Sequence, residues 1–203
     1  MSYKINCFNC KNRCDGRSKG VYNFMNDVEF SEHYEQMIIE SINSLGYRAV
    51  KTQRPQYPDI EVYDISDGRL ICYIEVKAQR RTFMSVQRLL PYSDLIPSET
   101  VALNQSDLEH YIAQSRVEKV PVYIAWVLSN RPCVVGKNEF SIFYNHLSEL
   151  ERVFNHYGDK RRFRRKDGKG DEVDGQHLGV VVNYHFSLDE LLPFDLGDIL
   201  GLK

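Results

Sequence analysis

The sequence lacks the long apolar run of a membrane protein. Among its 203 residues, no stretch approaches the roughly 18 consecutive apolar residues that would suggest a membrane span. The N-terminus carries basic residues with no apolar segment behind them, so nothing there indicates a secretory signal. These absences predict a soluble protein that does not bind membranes and is located in the cytoplasm.

An excess of charge of one sign is also absent. The chain has 26 Lys and Arg against 28 Asp and Glu, which gives a net charge of -2. Overall charge therefore gives no reason to expect a nucleic-acid partner, although the distribution is uneven. There is no HExxH spacing, no GxxxxGK[ST] loop and no GxSxG elbow, which argues against a built-in protease, ATPase or esterase.

Cysteines are few and unevenly placed. There are five, an odd number, which in an apparently intracellular chain argues against a disulfide framework. Three of them are close together: Cys7, Cys10 and Cys14. Their spacing fits part of a tetrahedral thiolate site for Zn²⁺ or an iron–sulfur cluster, with free thiols as the alternative. Cys133 or His33 could complete such a site only if the fold brings it close, whereas Cys72 is expected in the core.

Apolar periodicity predicts an α/β core between residues 31 and 129. The first helix is expected to begin at a Ser31 cap and to end before Gly46. The β-rich segments that follow are 47–52, 59–65 and 69–77, and the last two should form a hairpin through 66–68. Residues 79–105 are expected to cross the active face, with a short helix near 84–90. A capping box at 106–109 should begin the second helix, and 120–128 should be a buried strand.

The second part of the chain is predicted to extend this core. An amphipathic helix is expected over 139–156. A polar segment, a strand at 178–184 and a capped turn at 187–190 should follow. We therefore divide the chain into three parts: an N-terminal cysteine-bearing appendage (1–30), a core (31–135) and a C-terminal extension (136–203) that carries a basic loop at 160–170.

Two carboxylates and a lysine are predicted to meet at the open end of the hairpin. Glu75 and Lys77, two apart on a strand, must share a face. Hairpin pairing brings Asp59 near Glu75. Two clustered carboxylates favour a divalent cation, Mg²⁺ or Mn²⁺. Lys77 could act on the attacking water or stabilise transition-state charge. The alternative is an exposed strand end with Asp59 as a turn residue.

The combination Pro58-Asp59 and Glu75-Val76-Lys77 resembles the PD-(D/E)xK motif of the restriction-endonuclease-like nucleases. The resemblance spans roughly residues 31–129, and it implies an αβββαβ core with a mixed sheet flanked by helices. It further implies that Asp59 and Glu75 bind the metal and that Lys77 is the catalytic lysine. Glu35 matches a first-helix glutamate of many members and would contact metal or water. Gln79 extends the motif to ExKxQ and is given a supporting role.

Basic residues suited to phosphate contacts occur in two places. A dense run with one embedded aromatic contains Lys160, Arg161, Arg162, Arg164, Arg165 and Lys166. Three arginines follow the motif strand: Arg80, Arg81 and Arg88. The alternative for each is a solvated charged position.

The resulting interpretation is an Mg²⁺-dependent nuclease, with DNA favoured over RNA and endonuclease action favoured. A catalytically idle module of the same fold, used for nucleic-acid binding or complex assembly, is the alternative. Double-strand cleavage usually needs two sites, so a homodimer or a protein partner is part of this interpretation.

Overall fold

A computed structural model describes most of the chain. The described residues are Cys7, 24–80, 82–129, 131–136, 139–164, 172–173, 176–177 and 182–202. Five predicted site residues lie outside them: Cys10, Cys14, Arg81, Arg165 and Lys166. Within the described ranges, none of the helices combines the length and the apolar character needed to cross a membrane.

The first half of the chain alternates helices and strands. Its elements are α1 (Phe24–Ser44), β1 (Tyr47–Lys51), β2 (Ile60–Asp64), β3 (Leu70–Gln79), α2 (Val86–Leu89), a 3-10 turn (Pro97–Glu99), β4 (Thr100–Asn104), α3 (Gln105–Glu118) and β5 (Val122–Ser129).

The second half adds more strands than helices. Its elements are β6 (Phe140–His146), α4 (Leu147–Tyr157), a 3-10 turn (Gly158–Arg161), β7 (Arg162–Arg164), β8 (Glu172–Val173), β9 (Gln176–His177), β10 (Val182–Ser187), a 3-10 turn (Leu188–Glu190), β11 (Leu192–Pro193) and α5 (Leu196–Leu200).

The central sheet is mixed and has six strands in the order β1-β2-β3-β5-β6-β11. Strands β1, β2 and β3 form an antiparallel meander, and β5 lies parallel to β3 because α3 returns the chain across one face. The predicted αβββαβ order and the 66–68 hairpin are therefore confirmed, and the fold is the predicted mixed α/β class.

A second, three-stranded sheet in the order β4-β10-β7 adjoins this core. No strand was predicted in the long segment before α3, yet residues 100–104 form β4 and pair antiparallel with β10. Pairing partners some 80 residues apart leave no local signal, which explains why this strand was not predicted.

The central sheet is buried on both faces. Alternate side chains of β3 and β5 pack on opposite sides: Ile74, Val76 and Val127 join a core with α1 and α5. Ile124 and Trp126 join a second core with α3, α4 and the second sheet. The strands accordingly contain nearly continuous apolar sequence, as expected where helices cover both faces.

The two core helices begin at other residues than those predicted. Helix α1 begins at Phe24, so Ser31 lies inside it, and the Ser31 hydroxyl donates a hydrogen bond to Oε1 of Glu35. The cap of α3 is Asn104 rather than Ser106. The end of α1 was right: Gly46 follows it with φ +85°, a left-handed conformation that favours glycine.

The predicted helix over 139–156 is wrong in its first half. Residues 140–146 form β6, which pairs antiparallel with β5 along its length, and α4 begins only at Leu147. Apolar residues occur at helical spacing throughout, but the available edge of β5 satisfies the backbone groups of β6. His146 ends the strand and caps α4, because its Nδ1 accepts a hydrogen bond from the Ser148 N–H. The capping box at Ser187–Glu190 is confirmed.

Candidate active site

Asp59, Glu75 and Lys77 lie together at the open end of the β2–β3 hairpin. The register pairs Ile60 with Ile74, so Asp59, which precedes Ile60, falls beside Glu75. Oδ2 of Asp59 accepts a hydrogen bond of 2.8 Å from the Val76 N–H, which fixes the carboxylate against β3. The Lys77 ammonium forms an ion pair with Oε1 of Glu75.

Glu75 is the buried centre of this group, with only 1% of its surface exposed. Its second oxygen, Oε2, accepts a hydrogen bond of 2.9 Å from the Tyr111 hydroxyl on α3. The same helix brings Asp107 to 3.8 Å from the Lys77 ammonium. Helix α3 therefore supplies one contact to the glutamate and one to the lysine.

The protonation states of the group follow from burial and from the neighbouring charges. Burial, together with the charge of Glu75, raises the pKa of Asp59 to about 7, although Lys77 and the Val76 N–H oppose the shift. Desolvation lowers the pKa of Lys77, but the charges of Glu75 and Asp59 outweigh it and raise that pKa above its ordinary value. Burial also raises the pKa of Tyr111. Near neutral pH, Lys77 is an ammonium and Tyr111 keeps its proton.

Glu35 flanks this group from α1. It is buried, and its Oε2 forms a 2.9 Å ion pair with Lys51 on β1. The hydrogen bond to Glu35 is the main reason that the pKa of Lys51 is raised. The negative charge of Glu35 also contributes to the raised pKa of Asp59. Its nearest polar partners are thus Lys51 and Ser31, while its charge acts on the candidate site.

Gln79 faces the same side as Glu75 and Lys77 but makes its contacts with the second sheet. Its Nε2 donates to the Ala102 carbonyl at 2.9 Å, and its Oε1 accepts from the Ala102 N–H at 3.3 Å. The side-chain amide therefore pairs with the backbone of β4 as a neighbouring strand would. This contact joins the second sheet to the end of β3 that carries Lys77.

The part played by α3 was underestimated from the sequence. Asp107 entered only as part of the 106–109 capping box, and Tyr111 was not among the candidate site residues. A signal was present: these residues are four apart, so they lie on one face of the helix. A tyrosine on a buried face also needs a partner for its hydroxyl.

The donor atoms fit a hard divalent cation. Among the described residues, no group of three or more His, Cys, Asp or Glu side chains is arranged to hold a metal ion. Magnesium, however, is commonly held by one or two carboxylates together with water and substrate phosphate. Asp59 and Glu75 supply two such carboxylates, and ionising both beside each other is costly unless a cation is present.

The basic residues differ in their exposure and in their contacts. Arg88, Lys160, Arg162 and Arg164 are exposed. Arg80 lies over the Phe30 ring at 4.9 Å. Between Arg162 and Arg164, Phe163 packs against Phe83 with a ring separation of 5.4 Å. This packing anchors β7 while its arginines face solvent.

Arg161 has a different environment from its basic neighbours. It is 2% exposed, and its Nη1 donates to both carboxylate oxygens of Glu190 at 2.6 and 2.7 Å. Its guanidinium also lies 3.5 Å from the centre of the Tyr157 ring. The charge of Arg161 is therefore paired within the protein, where its contacts connect the end of α4 to the 188–190 turn.

The described cysteines lie in separate environments. Cys72 is in the core beneath α1, and burial raises the pKa of its thiol to about 12. Cys7 and Cys133 are partly exposed. The Cys7 thiol donates a hydrogen bond of 3.3 Å to the Ser98 hydroxyl. His33 is exposed on α1 and contacts Tyr34.

Two solved structures are similar to this chain. One is Hjc, a Holliday junction resolvase from the archaeal hyperthermophile Archaeoglobus fulgidus, with 12% identity, a TM-score of 0.46, and coverage of 85% of this chain and 96% of its own. The other is a nuclease from a fusselovirus, with 9% identity, a TM-score of 0.45, and coverage of 91% and 94%. No protein-family model and no curated protein matches the sequence.

Similarities this distant assign no activity to the chain, but its own architecture is clear. The αβββαβ order and the β2–β3 hairpin are those predicted, and the antiparallel meander together with the parallel β3–β5 pair makes the sheet mixed, as the resemblance implied. The chain therefore has the mixed α/β fold that the sequence resemblance to restriction-endonuclease-like nucleases implied, with Asp59, Glu75 and Lys77 at the open end of its hairpin.

Proposed function

We propose that this chain is a divalent-metal-dependent nuclease that hydrolyses phosphodiester bonds, with DNA favoured over RNA and endonuclease action favoured. The observation that supports it best is the group that Asp59, Lys77 and Tyr111 form around the buried Glu75. Burying charged side chains lowers stability unless they are paired, and strongly shifted pKa values cluster at functional sites. A site of this composition suits phosphodiester hydrolysis.

Asp59 and Glu75 would hold the cation, Mg²⁺ or Mn²⁺. When bound, such an ion polarises a phosphoryl oxygen and lowers the pKa of its water. The hydrogen bond from the Val76 N–H holds Asp59 in place, and the Tyr111 hydroxyl does the same for Glu75. Because cation binding requires an ionised carboxylate, the proton that Asp59 holds near pH 7 must leave first.

Lys77 is better suited to stabilise charge than to accept a proton. Its pKa is raised by Glu75 and Asp59, so the amine is protonated at neutral pH and has no lone pair to offer. An ammonium fixed beside the carboxylates can bind phosphoryl oxygens as negative charge develops on them. Asp107, at 3.8 Å, adds to the negative charge that keeps Lys77 protonated. We assign Asp107 and Tyr111 as positioning residues.

The proposal is tested by cleavage of supercoiled, linear and single-stranded DNA in Mg²⁺, Mn²⁺ or EDTA. The wild type should cleave only with a divalent ion, and Lys77→Ala should lower the rate by about 10²- to 10³-fold, the range for removing one group that stabilises transition-state charge. Arg152→Ala is the matched control, because this exposed arginine pairs with Glu149 on α4.

Equal cleavage by wild type and Lys77→Ala, after contaminating nuclease is excluded, would reject the assignment. Metal-independent DNA binding without cleavage would instead support the idle-module alternative. Sedimentation with and without a DNA duplex would show whether a homodimer supplies the second site that cleavage of both strands usually needs.

Nucleic-acid binding is proposed to involve the exposed arginines of β7. Replacing Arg162 and Arg164 with alanine should flatten the slope of log K against log salt by about one unit for each phosphate that the protein no longer neutralises. Arg161→Ala should act differently, because it leaves the partly buried Glu190 without its ion-pair partner. We expect Arg161→Ala to lower the melting temperature. If replacing Arg162 and Arg164 leaves the salt dependence of binding unchanged, the nucleic-acid-binding surface does not include β7.

A further inference from the structure

One lysine, Lys51 at the end of β1, contacts two glutamates of α1. Its ammonium lies 2.9 Å from Oε2 of Glu35, which is buried, and 3.2 Å from Oε1 of Glu32, which is exposed. The two glutamates are three positions apart on the helix, so they lie on the same side of it. Lys51 therefore has one carboxylate partner inside the protein and one at the surface.

The end of β1 also lies beside Asp59. Lys51 pairs with Ile60 in the antiparallel register, and the N–H of Thr52 donates a hydrogen bond of 2.8 Å to the Asp59 carbonyl. Ile60 packs in the core beneath α1, so its cross-strand partner Lys51 is on that same face. Burial is the first cause that raises the pKa of Asp59, and the negative charge of Glu35 is a further one. The Glu35–Lys51 pair is thus adjacent to Asp59, around the end of β2.

A buried carboxylate is stable only when a positive charge or strong hydrogen bonds accompany it. Lys51 supplies that charge to Glu35. A divalent cation held at Asp59 would supply it too, if Glu35 contacts the cation or one of its waters. The ammonium has a flexible four-carbon stem, and Glu32 offers it a second carboxylate. Lys51 can therefore leave Glu35 without losing every ion pair.

We propose that Lys51 competes with the divalent metal ion for Glu35, and that Glu32 keeps the ammonium when the metal is bound. The inference rests on the proposed function, since it concerns the metal ion of the same site. It adds Lys51 and Glu32 as positioning residues that set how tightly the ion binds. Both act through Glu35.

Calorimetric titration with Mn²⁺ alone, without nucleic acid, tests the competition. Lys51→Met keeps a side chain of similar length and removes its charge, so it should bind Mn²⁺ about 10-fold more tightly than the wild type. Lys51→Arg keeps the charge and should restore the wild-type affinity. Arg48→Met is the matched control, because it removes one positive charge from the same strand where the guanidinium lies over the Tyr63 ring. Its Mn²⁺ affinity should equal that of the wild type.

A double-mutant cycle separates competition from a general effect of charge. In a Glu35→Gln background, Lys51→Met should no longer change Mn²⁺ affinity, because the carboxylate for which the two cations compete is gone. A long-range effect of the lysine charge would persist in that background. Glu32→Gln should weaken Mn²⁺ binding, because Lys51 then keeps its contact with Glu35. Once Lys51 is replaced by Met, Glu32→Gln should have no effect.

Melting temperatures give a second readout and show whether the variants fold. Lys51→Met should melt below the wild type in EDTA, because Glu35 stays buried without its cation. Mn²⁺ should then raise the melting temperature of Lys51→Met more than that of the wild type. Glu32→Gln changes an exposed side chain and should fold normally, so it tests the inference even if Lys51→Met does not fold.

The inference is overturned if Lys51→Met and Glu32→Gln both bind Mn²⁺ with the wild-type affinity. It is also overturned if the gain from Lys51→Met persists in the Glu35→Gln background. In both cases the wild type still binds Mn²⁺, so the proposed nuclease function stands. If neither the wild type nor Lys51→Met binds Mn²⁺, the metal site of the proposed function is wrong, and this inference falls with it.

Discussion

The two faces of β3 carry different kinds of side chain, apolar toward α1 and polar toward α3. Toward α1, the strand presents side chains that are apolar and buried: Cys72, Ile74 and Val76. Toward α3, it presents a polar series: Tyr73, Glu75, Lys77 and Gln79. One strand thus belongs at the same time to a close-packed core and to the candidate active site.

The polar face is organised by a matching stripe on α3. Three contacts follow one another along the strand: Tyr73 bonds to Glu118, Glu75 to Tyr111, and Lys77 lies near Asp107. The helix runs antiparallel to the strand, so its numbers fall as those of the strand rise. Tyr73, Glu75 and Lys77 therefore each have a polar partner on α3, whereas the opposite face is stabilised by burial of apolar surface.

The pattern continues beyond the candidate site into a second polar cluster. Arg54 donates to Glu61 and to the Tyr73 hydroxyl, and its guanidinium lies 3.7 Å from the centre of the Tyr57 ring. Glu118 accepts from Tyr57 and Tyr73. The contrast is that β3 packs toward α1 through buried apolar side chains and toward α3 through hydrogen bonds and ion pairs.

The largest stability effect is expected on the apolar face. Ile74→Ala should lower the free energy of unfolding by about 3 kcal/mol, because it removes buried methyl groups and leaves a cavity. Urea denaturation would measure this, with the exposed Ile65→Ala as a control that changes little. Cleavage per folded molecule should stay near the wild-type rate, and a large loss of that rate would weaken the contrast between the faces.

Asp59→Asn should raise the free energy of unfolding, whereas Ile74→Ala lowers it. The folded-state pKa of about 7 lies above the ordinary value of 3.8, so the folded chain holds a proton that the unfolded chain loses. Wild-type stability should therefore fall as pH rises from about 4 to about 7. In EDTA at pH 8, Asp59→Asn should be more stable by on the order of 2 kcal/mol, allowing for the partial exposure of Asp59.

The measurement is a set of denaturation curves from pH 4 to pH 8. Asp67→Asn, in the exposed β2–β3 turn, is the control and should keep the wild-type pH dependence. If Asp59→Asn also follows the wild-type curve, Asp59 does not carry a raised pKa.

Tyr111→Phe tests the contact between α3 and the buried glutamate. The change keeps the ring and removes the hydroxyl that donates to Glu75, so we expect a loss of about 1.5 kcal/mol in unfolding free energy. Tyr92→Phe is the control, since that ring is 79% exposed. Mg²⁺ affinity from calorimetry should fall as well, because the carboxylate is no longer held in one orientation. Wild-type affinity would contradict the positioning role.

Gln79→Ala should have the smallest effect. It removes two hydrogen bonds to Ala102 and should cost about 1 kcal/mol. Hydrogen exchange should show faster opening of β4, while the exposed Gln87→Ala should leave exchange unchanged. Protection of β4 at the wild-type level would mean that other contacts, such as that from Trp126 Nε1 to Ala102, hold the second sheet.

Much of the core was predictable because its signals are local. The hairpin follows from a turn between two alternating segments, and the Ser187 capping box is a four-residue pattern. The strand β6 was not predictable in the same way, because its apolar spacing also fits a helix. Pairing with the edge of β5 is what makes this segment a strand. The burial of Arg161 was missed for a similar reason: its partner Glu190 is 29 residues away.

The sequence by itself determined the chemistry available to this protein. Two carboxylates and a lysine, set by strand alternation and one hairpin, needed only local geometry to come together. The tertiary structure decided their protonation states, because burial under α3 and the charges of neighbouring groups determine which group keeps its proton. It also decided which side chains hold them, since Tyr111 and Asp107 reach β3 only when a helix 30 or more residues away packs across the sheet.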